Sequence, residues 1–267
     1  RQHPHSMGKW DPASKTNVAT MSEGDFRHTE QSVVLPADDD LRIELVQADG
    51  KTVVLRPSLK VLKDEVIDAS CMSAAALRSF LDAQVARAKA EGVLFSLHLK
   101  ATMMKVSDPI IFGHALKSYF APVFEKYADD LASCGADPDD GLGLVLAALA
   151  KLPEAKRNEI EGAIKARMAE GPALAMVNSD KGITSLHVTS DIIVDASMPA
   201  MIRQSGHMWG PDGKEADTLA VLPDSSYSSI YQVVIDDCRK NGPFDPTTMG
   251  TVPNVGLMAQ AADEIGR

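Results

Sequence analysis

Apolar positions along this chain fall into short runs that alternate with longer periodic stretches. LRIELVQADGKTVVLRP (41–57) alternates apolar and polar residues on both sides of Asp49-Gly50. It predicts a β-hairpin, because glycine accepts the positive φ of a tight turn. Residues 73–91 predict a helix, with Ser73 as cap, alanines inside and Gly92 as stop. VLFSLHLK (93–100) predicts a strand, 109–127 a helix and 135–140 a loop. Residues 142–152 and 154–170 read as two helices divided by Pro153. ALAMVN (173–178) is a short buried strand, 179–190 a turn-rich loop, and 191–194 extended chain before a helix opening at 200–203. SGHMWGPDGKEAD (205–217) reads as a loop, LAVLP (219–223) as a strand and 226–240 as a helix. A loop at 243–256 then leads to a helix from Leu257, and the first forty residues read as loop with short elements. Strands alternating with longer helices predict an α/β fold. Its sheet is mixed and partly parallel, flanked by helices, with an N-terminal β-hairpin.

At 267 residues and 45% hydrophobic, the chain can bury a full core as one large domain or two small ones. The net charge of −10 without a Lys/Arg cluster argues against a nucleic-acid surface. An anionic substrate must then be drawn in by a local basic patch. Cys71, Cys134 and Cys238 are far apart, which fits a reducing compartment and no zinc knuckle. No apolar run approaches the roughly 18 residues of a membrane span. RQHPHSMGKW lacks the apolar stretch of a signal peptide. The chain starts without Met and stops at EIGR, so both ends are expected to be cut from something longer.

The residues offer several chemistries, each beside a plainer role. There is no GxGxxG after a strand, no GxxxxGK[ST], no GxSxG and no HExxH. Gly141-Leu142-Gly143 is a weak phosphate candidate before a helix. His3 and His5 either share a metal or are solvated; His187 and His207 either donate to an acidic substrate or serve structure. Asp191 and Asp195, four apart, suit a hard divalent cation. Alternatively Asp191 is solvated and Asp195 caps the following helix. Lys100 ends an apolar strand, with Lys105 a turn later. A lysine so placed can act as acid or base, or can simply extend from the core to water. Met103, Met104, Met198, Met201 and Met208 read as packing.

The segments LKATMMKVSDPIIFGH, LAMVNSDKGIT, SDIIVDASMPAMIR, SGHMWGPDGKEADT, YQVVIDDC and TMGTVPNVGLMAQ, with the opening HPHSMGKW, closely resemble the monomeric NADP-dependent isocitrate dehydrogenases. The resemblance covers nearly the whole chain and is weakest around 27–70 and 129–168. It implies that residues 1–267 are a single α/β domain, of isocitrate/isopropylmalate dehydrogenase type, from the large domain of a longer enzyme. The implied reaction is oxidative decarboxylation of isocitrate to 2-oxoglutarate with reduction of NADP, aided by Mg²⁺ or Mn²⁺, in a bacterial cytoplasm. Lys100 matches the lysine that contacts substrate and takes part in proton transfer. Asp195 matches a metal-ligand aspartate, and Asp191 at most supports it from behind. The family's NADP-binding residues and further metal aspartates match positions beyond Arg267. Its Ser, Asn and Arg substrate contacts match positions before Arg1. Where the family has a proton-donating tyrosine, this chain has Ile265. The expected partners are isocitrate, the remainder of the parent enzyme and a second copy of the chain. The rival expectation is a non-catalytic module that dimerises or completes a site in trans.

Overall fold

A computed structural model describes residues 8–245. His3, His5, Ile265, the helix expected from Leu257 and most of the loop expected at 243–256 lie outside the described residues. In chain order the elements are β1 (Asn17–Ala19), α1 (Phe26–Thr29), β2 (Gln31–Val34), β3 (Asp39–Val46), β4 (Thr52–Val61) and β5 (Val66–Ala69). Then come α2 (Ala74–Glu91), β6 (Leu94–Leu97), α3 (Ser107–Tyr119), α4 (Ala121–Lys126), α5 (Ala128–Cys134), α6 (Leu142–Ala148) and α7 (Glu154–Glu170). They are followed by β7 (Met176–Asn178), β8 (Ile183–Thr184), α8 (Val194–Arg203), β9 (His207–Trp209), β10 (Glu215–Val221) and α9 (Ser228–Asn241).

The central sheet has β10 between β1 and β6, both parallel to it, and β9 antiparallel along the first half of β10. Leu174 extends the sheet beside Phe95, again in parallel. The fold is therefore α/β with a mixed, partly parallel sheet between helices, as the alternation predicts. Period-2 side-chain geometry divides β10 between two cores. Leu219 and Val221, with Phe95, Leu97 and Leu99, join the core formed with α2 and α3. Ala220 and Leu222 join Trp10, Met198, Met201 and Ile235 on the other face, under α8 and α9. Such two-faced burial explains why the strands read as continuous apolar runs rather than alternating ones.

Ser73 caps α2 by accepting from the Ala76 N–H, and Gly92 ends it with φ +67°, as expected. The helix expected over 109–127 begins at Ser107 and breaks at Phe120, because Pro122 in the first turn of α4 has no N–H to continue the ladder. The loop expected at 205–217 is instead the hairpin β9–β10. Its turn closes through Gly210 N–H to the Lys214 carbonyl at 2.7 Å, with Gly213 at φ +72°. The loop expected at 179–190 holds β8. The helix expected to open near Ala200 begins at Val194, with Pro199 inside it. Buried Val194, Met198, Met201 and Ile202 share one helical face, and that packing outweighs the proline.

Among the described residues, three two-stranded ribbons, β2–β5, β3–β4 and β7–β8, are not part of the central sheet. The predicted hairpin is β3–β4, longer than the alternating segment, and Gly50 takes φ +82° at its turn. Leu41 faces Leu59 and Leu45 faces Val53. Ile43, Leu45, Val53, Leu55 and Leu59 are all exposed.

Candidate active site

The site follows from one register. Leu99, just past β6, bridges Ile193 in parallel. The Val194 N–H donates to the Leu99 carbonyl at 2.9 Å, and the Leu99 N–H to the Ile192 carbonyl at 3.4 Å. Lys100 follows Leu99 directly, and Asp195 stands two residues beyond Ile193, in the first turn of α8. The Lys100 ammonium Nζ lies 2.5 Å from Asp195 Oδ2. The lysine side chain is 19% exposed and the carboxylate 37%. Lys100 sits past the carboxyl end of the parallel strand β6, where open α/β sheets place their ligands, and Asp195 meets it there from the first turn of α8. One layer below, His98 Nδ1 and the Ser197 hydroxyl lie 2.7 Å apart, tying the end of β6 to α8.

Other groups gather around this pair that sequence reasoning did not single out. Asp108, in the first turn of α3 and 4% exposed, accepts the Lys100 backbone N–H at 2.7 Å through Oδ2. Burial pushes its carboxyl upward, and the Asp224 charge adds to that; the bonds from Lys100 N–H and the Ser107 hydroxyl oppose it. Tyr227 is pushed well above the ordinary phenol range, first by burial and then by Asp108, Asp224 and Asp195. Tyr231 rises for the same reasons, burial and Asp195. The readable signal was the i, i+4 spacing of Tyr227 and Tyr231 at the start of a helix. Their approach to Asp195 depends on long-range packing that no local pattern states. His98 is fully buried, which lowers its pKa from 6.5 to about 3.

The family model described as monomeric isocitrate dehydrogenase matches residues 1–267. The chain belongs to that family. Among its relatives, isocitrate dehydrogenase [NADP] of Corynebacterium glutamicum is 59% identical and that of Azotobacter vinelandii 55%, each over 266 residues. Isocitrate dehydrogenase [NADP] 2 of Mycobacterium tuberculosis is 49% identical over the same length. Each match covers 100% of this chain and 36% of the relative, so the chain spans about a third of the length of these curated relatives. A solved structure of isocitrate dehydrogenase from Ostreococcus tauri, in complex with isocitrate and magnesium(II), is 11% identical with a TM-score of 0.47; the match covers 88% of this chain and 45% of that one.

Within this member of the monomeric isocitrate dehydrogenase family, the remaining candidates sort clearly. Asp195 does not cap its helix; Ile193 holds the cap position and Asp195 lies in the first turn of α8. Asp191 is exposed on the preceding bend, on a different element from Asp195. Lys105 is exposed on the turn after Lys100. His187 Nδ1 accepts the Thr184 N–H at 2.9 Å, and His207 Nε2 lies 3.3 Å from Asp217, so both serve the framework. The Leu142 and Gly143 N–H groups donate to the Leu186 and His187 carbonyls, which leaves neither for phosphate. A Cβ on Gly141, at φ +90°, would stand 2.6 Å from the His187 carbonyl oxygen, so this close approach explains the glycine. Met198 and Met201 pack in the core, with Met208 against it, whereas Met103 and Met104 are exposed rather than packed.

The metal implied by the family fits this chain only in part. Asp195 offers a partly exposed hard oxygen donor of the kind Mg²⁺ and Mn²⁺ take. Among the described residues no group of three or more His, Cys, Asp or Glu is placed to hold a metal ion. One carboxylate of a magnesium site is normally completed by substrate oxygens and water. Among the described residues no helix is long and apolar enough to cross a membrane.

Proposed function

We propose that this chain is the part of an NADP-dependent isocitrate dehydrogenase that carries Lys100 and Asp195 into the active site. The observation that supports this most is the 2.5 Å approach of Lys100 Nζ to Asp195 Oδ2 at the carboxyl edge of the sheet. Two residues 95 positions apart, assigned separately from their own segments, meet at one point. Lys100 supplies the local positive charge that an acidic chain needs to hold a tricarboxylate. Beside Asp195, its side chain is the group that would take part in proton transfer with the substrate. Asp195 supplies one carboxylate oxygen to Mg²⁺ or Mn²⁺. A divalent metal held there would act as a Lewis acid toward the substrate's oxygens.

The pair forms one wall of a site rather than an enclosed cavity. The clefts of ≈480 and ≈550 Å³ are lined by other residues. NADP and the rest of the substrate contacts belong to the remainder of the longer polypeptide. In this reading residues 1–267 are one α/β domain of that polypeptide's large domain, acting in the cytoplasm. The isolated chain then oxidises no isocitrate. It self-associates through the exposed apolar face of β3–β4, since an isolated two-stranded ribbon needs cover. Light scattering on the purified chain should give a dimer or larger species, and a monomer counts against that part.

The activity itself is tested in a chimera. This chain replaces the matching segment of the Corynebacterium glutamicum protein, and NADPH formation from isocitrate is followed with Mg²⁺. The chimera carrying Ile265→Tyr should be active, the unchanged chimera weaker, and the chain alone inactive. NADPH formation by the chain alone, or none by either chimera, contradicts the reading.

A further inference from the structure

The seven-residue excursion between β6 and α3 begins at Lys100, and its shape depends on one buried acid. Asp108 closes it from the far end twice. Its N–H donates to the Met104 carbonyl at 3.1 Å, while its Oδ2 accepts the Lys100 N–H at 2.7 Å. The Lys100 carbonyl in turn accepts from the Met103 and Met104 N–H groups at 3.0 and 2.8 Å. The main chain of Lys100 is thus fixed on both sides, while its side chain reaches Asp195.

Asp108 is 4% exposed and makes no ion pair among the described residues, since the nearby ammonium of Lys100 goes to Asp195. A buried carboxylate without a cation is costly and is kept only where its hydrogen bonds are needed. Ser107 donates its hydroxyl to the other oxygen at 3.0 Å. The position in the first turn of α3 adds the favourable end of the helix dipole. The charged and titratable groups facing it are Asp224 and Tyr227 across the site. Neither is a cation, so its stabilisation comes from backbone and hydroxyl donors.

We propose that Asp108 is the positioning residue for Lys100, acting through the Lys100 backbone N–H. This rests on the assignment of Lys100 and Asp195 to the active site, but it concerns the free chain and needs neither substrate nor metal. An asparagine keeps both bonds: its oxygen accepts from Lys100 N–H, and its amide donates to the Ser107 hydroxyl. An alanine keeps neither.

The test is amine-reactive labelling of the purified chain, with each lysine followed by peptide mass spectrometry. In the unchanged chain Lys100 should label more slowly than the exposed Lys60. Asp108→Ala should raise labelling of Lys100 by about fivefold, what the loss of one ordinary hydrogen bond amounts to. Lys60 and Lys151, the latter bonded to the Cys134 carbonyl, should not change. Asp108→Asn should keep Lys100 within about twofold of the unchanged chain, well inside one such bond. Equal labelling of Lys100 in Asp108→Ala and the unchanged chain overturns the proposal. So does a folded Asp108→Asn in which Lys100 is freed. If Asp108→Ala does not fold, Asp108→Asn decides alone. Loss of dehydrogenase activity in the chimera with this labelling pattern intact would sink the reaction assigned above, and not the positioning.

Discussion

The parallel core and the β3–β4 ribbon are built from similarly apolar strands but end in opposite states. Phe95, Leu97, Leu219 and Val221 are fully covered by helices of this same chain. Ile43, Leu45, Val53 and Leu55 are as apolar, yet 42–62% exposed. The core is complete within these residues, and the ribbon is not. The candidate site belongs to the complete region: Lys100 follows the end of β6 and Asp195 opens α8, whose Val194 and Met198 are buried in the core. The chain can therefore preorganise its share of a site while presenting an apolar surface for another partner to cover.

Substitutions should separate the two regions sharply. Phe95→Ala leaves a cavity in the buried layer and should cost about 3–5 kcal/mol in denaturant unfolding. A loss below about 1 kcal/mol would mean the core is looser than described. Leu55→Ser on the ribbon belongs at the other end of this scale.

How much of this was readable in the chain depends on whether local pattern or long-range pairing decides. The α2 helix carried its own start and stop in Ser73 and Gly92, and the β3–β4 turn carried Asp49-Gly50. The hairpin β9–β10 was hidden because three glycines and a proline in 205–217 look like loop, whereas pairing to β10 supplied the order. The start of α8 was likewise set too late, at 200 instead of Val194, since its buried face is decided by packing across the sheet, which also outweighs Pro199. Lys100 and Asp195 were legible as chemistry, each at the end of an apolar run. Asp108, Asp224 and Tyr227 were not, since Asp108 meets the Lys100 backbone, and Asp224 and Tyr227 meet Asp108, only through a tertiary arrangement that local spacing cannot reveal.

Acid sensitivity is the next effect in size, and it belongs to the complete region. Burial raises the Asp25 pKa, but hydrogen bonds from Ser225 and His28 outweigh it and bring the carboxyl from 3.8 to about 2. Its folded value is the lower one, so its stabilisation is full above pH ~4 and is lost as pH falls toward ~2. Asp25→Asn should remove about 2 kcal/mol at neutral pH and flatten the stability curve over that window. His98 works in the same direction over a higher window. Its pKa is lowered from 6.5 to about 3, so stability declines as pH drops through that range. His98→Asn, which can still meet Ser197, should make the chain less acid-sensitive between pH ~6.5 and ~4. An unchanged pH profile in either variant contradicts the assignment.

The smallest stability effects fall on groups outside the buried core. Lys100→Met should cost no more than about 1 kcal/mol, because the partner carboxylate is partly solvated. Leu55→Ser should change unfolding of the monomer by less than about 0.5 kcal/mol. It should nevertheless weaken self-association in sedimentation. If Leu55→Ser destabilised the chain as much as Phe95→Ala, the contrast between ribbon and core would fail.

The central claim is that Lys100 and Asp195 act together on substrate. Its most direct test is steady-state kinetics of isocitrate oxidation in the Corynebacterium glutamicum chimera with Ile265→Tyr, comparing Lys100→Met, Asp195→Asn and the double variant. The account predicts that each single change lowers kcat by about 10²-fold or more, with the double variant falling short of the product of the two losses. Activity within about twofold of the parent chimera in either single variant, a small fraction of what a positioned acid or base contributes, would contradict it.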